Sequence, residues 1–477
     1  MTFSTRAYAR ITLELTGPCC ISTGDDSFDS DLPFVTDANG LPMLPGTSIA
    51  GMLRAACLEH LRDFDDREWF GYQERDRGAA SRVWVSNAHI HDEKNKPVDG
   101  QHRSDFGSFL ETLAIGEVRD HVRIDHLGVA DTENRGKFDQ QVLLAGTRFT
   151  FDLELVGHDG DEEELSTMLE ALVDVLGLPT VRLGGRVHSG LGGFIVQYIE
   201  GRLFNLSVAS DYDAYCALPV SLATPANLDR LPTSGRSMHG SVGTYTIEIT
   251  PETFFYIGSG EALEDGPRAP QIATVRGRRV IWSHGFNAIS DPIPYIPATS
   301  IKGAISHRFC FHYNRLTGAF ADTSPLTDVT GESNAGVREL FGYCNDEEHD
   351  GDSGARASGR VIFEDVWLDN YARKEHTRKL MHTSLDHFTQ GVRGNMLFAE
   401  QVLAPGDALS LTIHIERTEA LSESARRALD LSIRDLCNGR LALGGGHGRG
   451  HGHFRGSYES DGIELAPAGA QHEGAAE

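Results

Sequence analysis

The chain repeats itself. Residues 42–51, PMLPGTSIAG, return as PYIPATSIKG at 294–303, and further landmarks recur in the same order. Phe70-Gly71-Tyr72 returns as Phe341-Gly342-Tyr343, and RVWVSNAHI from Arg82 returns as RVIFEDVWL from Arg360. Ile124-Asp125-His126 matches Leu385-Asp386-His387, VLLAG at Val142 matches VLAPG at Val402, and the Leu-Gly-Gly at Leu183 matches that at Leu443. An ordered set of matches is the signature of tandem copies of one unit, so the chain folds as two related domains. Its 477 residues agree with that, since a prior of roughly 150 residues per domain suggests two or three domains.

Each copy shows the same run of elements. An alternating strand opens it, with Ile11, Leu13 and Leu15 in the first copy and Tyr245, Ile247 and Ile249 in the second. A helix follows the proline motif, carrying the stripe Ile49, Leu53, Cys57 and Leu61 in the first copy. Two strand-like runs come next, Val83 to Ile90 and Phe149 to Leu155, matched by Val361 to Leu368 and Leu409 to Ile415. A second amphipathic helix has Leu165, Leu169, Leu172 and Leu176, or Ala425, Leu429, Ile433 and Leu436. A glycine-rich loop then leads to a last strand. The order β-α-β-β-α-β predicts an α+β chain of two tandem ferredoxin-like (RRM-like) domains. The expected bounds are residues 1–205 and 241–456, joined by a Pro-, Ser- and Ala-rich linker at 206–240 and followed by a disordered tail at 457–477.

Composition narrows the setting. No window approaches the roughly 18 apolar residues of a membrane span, and the start lacks an apolar leader, so a cytoplasmic protein is expected. The seven cysteines are scattered without a CxxC pair, which predicts reduced thiols rather than a disulfide framework or zinc knuckle. A net charge of −26 opposes nucleic-acid binding in bulk, yet the stretch from Arg268 to Leu316 reverses it locally. It holds Arg268, Arg276, Arg278, Arg279, Lys302, Arg308 and Arg315 against one acid, Asp291.

Two features repeat in a way that suits phosphate. Thr47-Ser48 and Thr299-Ser300 follow a proline at a helix start, where hydroxyls cap the helix and its free N–H groups attract anions. Arg54 lies on the helix so begun, and Lys302 stands where the first copy has Ala50, so the second copy is expected to grip a phosphate harder. The glycine-rich loops, Arg182 to Phe194 and Leu443 to Phe454, allow backbone amides close to a phosphate and add Arg186 and His188, or Arg449 and His451. His447, His451 and His453 lack an evident fourth ligand, and zinc is not expected there.

The opening strand, proline-Thr-Ser helix, Phe-Gly, Asp-His segment and glycine loop together resemble the RAMP superfamily of CRISPR-associated proteins. The similarity is strongest to backbone subunits of type III effectors, and a tandem fusion resembles the double-domain subunits of type III-D-like systems. It covers both copies. The resemblance implies a filament subunit that grips CRISPR RNA, works beside other CRISPR-associated subunits on a target RNA, and interrupts the guide-target duplex with projecting thumbs. Those thumbs would be Arg119 to Gln141, with Arg123, and His382 to Glu400, with Arg393.

Target-cleaving relatives carry a loop aspartate in an Asp-x-Pro context, and Asp31-Leu32-Pro33 stands at that place in GDDSFDSDLPFVTD (24–37). Asp31 is therefore the expected catalytic residue and Mg²⁺ ligand, with Asp29 and Asp26 as secondary candidates. Counting back equally from Pro297 lands on Ser283, with Glu264 and Asp265 as other acidic positions, so the second copy is expected to grip without cutting. A purely structural subunit and a histidine-based CRISPR RNA processing enzyme remain as alternatives.

Overall fold

The computed structural model describes residues 3–23, 33–102, 106–122, 124, 136–232, 242–259, 272–283, 287–320, 322, 325–344 and 356–463. They form two compact units.

The principal elements of the first unit are β1 (Thr5–Leu15), α1 (Gly46–His60), β2 (Val83–Val85), β3 (Ala88–Ile90), β4 (Glu117–Val122), β5 (Lys137–Val142), β6 (Arg148–Gly157), α2 (Glu162–Leu176), β7 (Phe194–Asn205), α3 (Ala209–Cys216) and β8 (Asp229–Arg230). β1 is central in its sheet, antiparallel to β7 on one side and to β6 on the other, and β6 pairs in turn with β2 and β3. The four strand positions of the repeat thus stand in the order fourth, first, third, second. Ile11, Leu13 and Leu15 of β1 pack with Ile49, Leu53 and Cys57 of α1 and with Leu165, Leu169, Leu172 and Leu176 of α2 in one core. The face of β1 that carries Ile11, Leu13 and Leu15 and the apolar stripes of the two helices are buried together, as the two apolar periods dictate.

The second unit repeats this with β9 (Gly243–Pro251), α4 (Ala298–Thr317), β10 (Val361–Phe363), β11 (Thr377–Leu385), β12 (Val392–Leu403), β13 (Leu409–Ile415), α5 (Glu423–Cys437) and β14 (Phe454–Asp461). Its sheet runs β10-β13-β9-β14, the same order. Tyr245, Ile247 and Ile249 pack with Ile301, Ile305 and Phe309 of α4 and with Ala425, Leu429, Ile433 and Leu436 of α5. In both units a two-stranded hairpin stands apart from the main sheet, β4–β5 in the first and β11–β12 in the second.

Three segments depart from the expected outline. Residues 206–232 are packed on the first unit rather than forming a linker: β8 extends its sheet, and the buried Arg10 holds the chain there. The Arg10 guanidinium donates to the carbonyls of Thr224 at 2.7 Å and Pro219 at 3.2 Å while pairing with Asp152 at 2.8 Å. The segment Arg276–Ile293, numbered within the second copy, belongs to the first unit. Val280 N–H donates to the Ala145 carbonyl at 2.8 Å, and the Trp282 indole donates to the Gly146 carbonyl at 2.6 Å beneath the Arg148 guanidinium. The basic run is therefore divided, its Arg276, Arg278 and Arg279 lying on one unit and Lys302, Arg308 and Arg315 on the other. Finally, β14 pairs with β9 as far as Asp461, into the stretch expected as tail.

Candidate nucleic-acid interface

The helix starts are capped differently from the expectation. The residues before α1 and α4 are Pro45 and Pro297, and neither helix has a side-chain cap from its own cap residue. The first helical N–H groups are met from across the fold: Gly46 N–H donates to Asn87 Oδ1 at 2.9 Å and Ala298 N–H to Asp365 Oδ1 at 2.8 Å. Asn87 and Asp365 are equivalent positions in the repeat, and each sits at the break in an otherwise continuous strand run, between β2 and β3 in the first copy. Thr47 is exposed, while Ser48, Thr299, Ser300 and Lys302 are half-buried on these first turns.

The glycine loop lies against the neck of the acidic loop in each copy. In the first, Thr23 N–H donates to the Pro33 carbonyl at 3.1 Å and Val35 N–H to Ile21 at 2.9 Å, closing a neck around residues 24–32. Gly185 N–H donates to the Cys20 carbonyl at 3.1 Å on the same neck. Gly184 makes this approach possible: its φ is +80°, and any Cβ there would collide with that carbonyl. The second copy repeats the neck, with Ser259 N–H on Ala273, Val275 N–H on Ile257, and Gly445 N–H on Tyr256 at 3.0 Å.

This ladder corrects the correspondence obtained by counting. The loop equivalent to 24–32 is 260–271, which contains Glu261, Glu264 and Asp265, and not the neighbourhood of Ser283. Counting fails because Arg276–Ile293, placed between the neck and the proline motif, belongs to the first unit. Asp26, Asp29, Asp31 and Arg123 lie outside the described residues. Asp37 is a turn former, its carboxylate accepting from the N–H groups of Asn39 at 2.8 Å and Leu41 at 2.9 Å and from the Asn39 amide.

The hairpin base completes the arrangement. His121 faces Phe138 across the first hairpin with rings stacked 4.8 Å apart, and His382 faces Phe398 across the second at 5.1 Å. A loop arginine reaches each phenylalanine: the Arg186 guanidinium lies 4.0 Å from the Phe138 ring centre, and that of Arg449 lies 6.0 Å from Phe398. These aromatic pairs escaped sequence reasoning because a cross-strand partnership depends on hairpin register, which no local pattern specifies.

In the second copy the fully buried Glu400 gathers the neighbouring polar groups. Its Oε1 accepts from His382 Nε2 at 2.8 Å and His451 Nε2 at 3.0 Å, and its Oε2 accepts from Arg449 at 2.6 Å. Arg449 also donates to the Tyr256 hydroxyl at 3.2 Å. Burial by itself would raise the Glu400 carboxyl, but the bonds from His451 and His382 and the charge of Arg449 outweigh it and hold the group below the usual carboxylate range. The repeat register places Gln140 at the same position in the first copy.

The remaining expected contacts are scattered. Arg54 pairs with Asp66 at 2.5 Å, and Arg308 pairs with Asp435 at 2.5 Å inside the contact between α4 and α5. Arg393 is exposed on β12, and His188 is half-buried in the short turn Val187–Ser189. His453 bonds to the Gly439 carbonyl while His451 turns to Glu400, so the loop histidines do not converge. Among the described residues no group of three His, Cys, Asp or Glu side chains is arranged to hold a metal ion. Cys19, Cys20, Cys57, Cys216, Cys310 and Cys437 are free thiols, and no described helix is long and apolar enough to cross a membrane.

A family model for the RAMP superfamily matches residues 12–195 and again 248–455, together more than half of the chain. The chain belongs to the RAMP superfamily of CRISPR-associated, RNA-binding proteins, and it does so twice over, as a tandem of two such regions. Comparison with the curated proteins finds no match.

Proposed function

We propose that the chain is a tandem backbone subunit of an RNA-guided, type III-like CRISPR ribonucleoprotein, binding CRISPR RNA through both copies and cleaving complementary target RNA from the first. The observation that carries this reading is the recurrence, in both copies, of one convergence: a loop neck meets a glycine-rich loop through Gly185 and Cys20, and again through Gly445 and Tyr256, and the same loop reaches the hairpin base through Arg186 on Phe138, and again through Arg449 on Phe398. Each unit has a strand order that suits a ferredoxin-like domain, and the two hairpins suit thumbs that divide a guide-target duplex at intervals.

In this reading the loop closed by Thr23 and Pro33 presents Asp31 to the target strand, with Asp29 and Asp26 nearby in sequence. Its carboxylate orients the attacking 2′-hydroxyl in line with the scissile phosphate, where positioning supplies most of the rate. Mg²⁺ at Asp31, when bound, would neutralise charge on that phosphate. The second loop, 260–271, also contains an Asp-x-Pro sequence, Asp265-Gly266-Pro267, but Asp265 stands eight residues before the neck residue Ala273 whereas Asp31 stands two before Pro33, so in this reading the second copy grips without cutting. Other CRISPR-associated subunits complete the complex, which works in the cytoplasm.

The test assembles the complex with guide RNA and supplies a labelled complementary RNA with Mg²⁺. Wild type is expected to yield a product opposite this subunit and Asp31→Ala to lose it. Undiminished cleavage by the variant removes Asp31 from the catalytic role, and no cleavage by wild type leaves a structural subunit. Cutting of precursor repeat RNA by the purified chain alone would instead identify a processing enzyme.

A further inference from the structure

The hairpin bases of the two copies differ at one equivalent position, 140 or 400, and the difference decides what the nearby loop arginine can do. Gln140 is 3% exposed; it lies beside the Cys20 thiol, and its Oε1 has no hydrogen-bond partner among the described residues. Arg186, which also interacts with Cys20, rests on Phe138, and among the described residues no carboxylate faces it. Burial without a counter-ion pulls its pKa down from the ordinary arginine value, the reverse of Arg449, whose pairing with Glu400 overcomes burial and raises it.

The backbone at Arg186 gives an independent observation. Its φ is 55°, in the left-handed region that a branched or long side chain adopts only at a cost, whereas the equivalent Gly446 has φ 75° and no such cost. The first copy thus holds a guanidinium at a position where its sister has none, and supports it on an aromatic ring beside an unsatisfied buried amide oxygen.

We propose that residue 140/400 sets which glycine loop offers a positive charge to an RNA phosphate: Gln140 leaves the Arg186 guanidinium available, while Glu400 commits Arg449 to an internal ion pair. This rests on the RNA-binding reading above and adds an asymmetry to it. At the glycine loops the first copy is the stronger phosphate grip, the opposite of what Lys302 suggests for the helix starts.

The experiment measures binding of a fluorescently labelled single-stranded RNA to the full-length chain by anisotropy over a series of salt concentrations. Gln140→Glu and Arg186→Gly are each expected to weaken binding about tenfold, the equivalent of one charge-assisted hydrogen bond. Each should also flatten the slope of log affinity against log salt by about 0.7, the loss of one phosphate contact on a single strand. Arg449→Gln should stay within about twofold of wild type, and the isosteric Glu400→Gln should tighten binding and steepen the slope by about 0.7 as Arg449 is released. Arg186→Gly introduces the sister copy's residue and should melt no lower than wild type, so its loss of affinity is not a loss of fold. The proposal falls if Gln140→Glu binds as wild type does, or if Arg449→Gln costs as much as Arg186→Gly. Wild-type chain that binds RNA at no salt concentration overturns the RNA-binding reading itself and this proposal with it.

Discussion

Asn87 caps a helix that begins forty-odd residues earlier, its side-chain oxygen accepting the N–H of Gly46 at 2.9 Å, and Asp365 does the same for Ala298 in the second copy. A helix N-terminus leaves its first N–H groups unpaired, and here the partner is a tertiary one. Asn87→Ala and Asp365→Ala are expected to cost about 1 kcal/mol each, as lost caps do, while Asp365→Asn should cost less because it keeps the accepting oxygen. Urea unfolding followed by circular dichroism measures this, and Thr47→Ala, which removes a hydroxyl that makes no cap, serves as the neutral comparison.

Asp435 receives Arg308 at 2.5 Å and His312 at 2.8 Å in the contact of α4 with α5. Burial pushes its carboxyl up, but the hydrogen bonds from His312 and Arg308 and their charges hold it below its ordinary value. Replacing it with alanine strands both partners, so Asp435→Ala should destabilise the second unit by about 3–5 kcal/mol. A double-mutant cycle with Arg308→Ala, read by thermal unfolding, should give strongly non-additive losses.

Acid should weaken the first unit before its carboxylates titrate. His91 is buried, with Nδ1 on Asn95 at 2.9 Å and Nε2 on Thr150 at 2.7 Å, and burial lowers its pKa to about 4. The unfolded chain binds the proton more readily, so stability is full above the ordinary histidine pKa near 6.5 and falls as pH drops from about 6.5 to about 4. The loss over that window is about 3 kcal/mol. Unfolding midpoints of wild type should decline through it, whereas those of His91→Gln, lower at neutral pH, should be flatter.

The Arg10 anchor predicts resistance to proteolysis. With its guanidinium bound to Asp152 and to the carbonyls of Pro219, Ser221 and Thr224, the stretch 206–232 is held and should survive limited digestion as well as the sheet does. Arg10→Ala should expose it, and mass spectrometry of the fragments would locate new cuts there.

The duplication, the order of elements and the buried faces of β1, α1 and α2 were all legible in the sequence. They depend on local periods of two and 3.6 residues, which an apolar core enforces in any fold that buries one side of a strand or helix. The glycine loops were legible too, since the approach of Gly184 to the Cys20 carbonyl demands a residue without a Cβ.

What only the tertiary structure decided were relationships between residues far apart in the chain. The hydroxyls after the prolines suggested a cap, and a strand break at Asn87 supplied it instead. Ser283 was reached by counting, and the neck hydrogen bonds moved the equivalence to 260–271 because Arg276–Ile293 packs with the first unit. Arg308 and Arg449 looked alike as charges in the sequence, yet each is bound to a carboxylate, Asp435 or Glu400, while Arg186 rests on Phe138. Whether a cation is available depends on what lies across a hairpin or a helix contact. Composition and spacing name the charges, and long-range packing alone assigns them their partners.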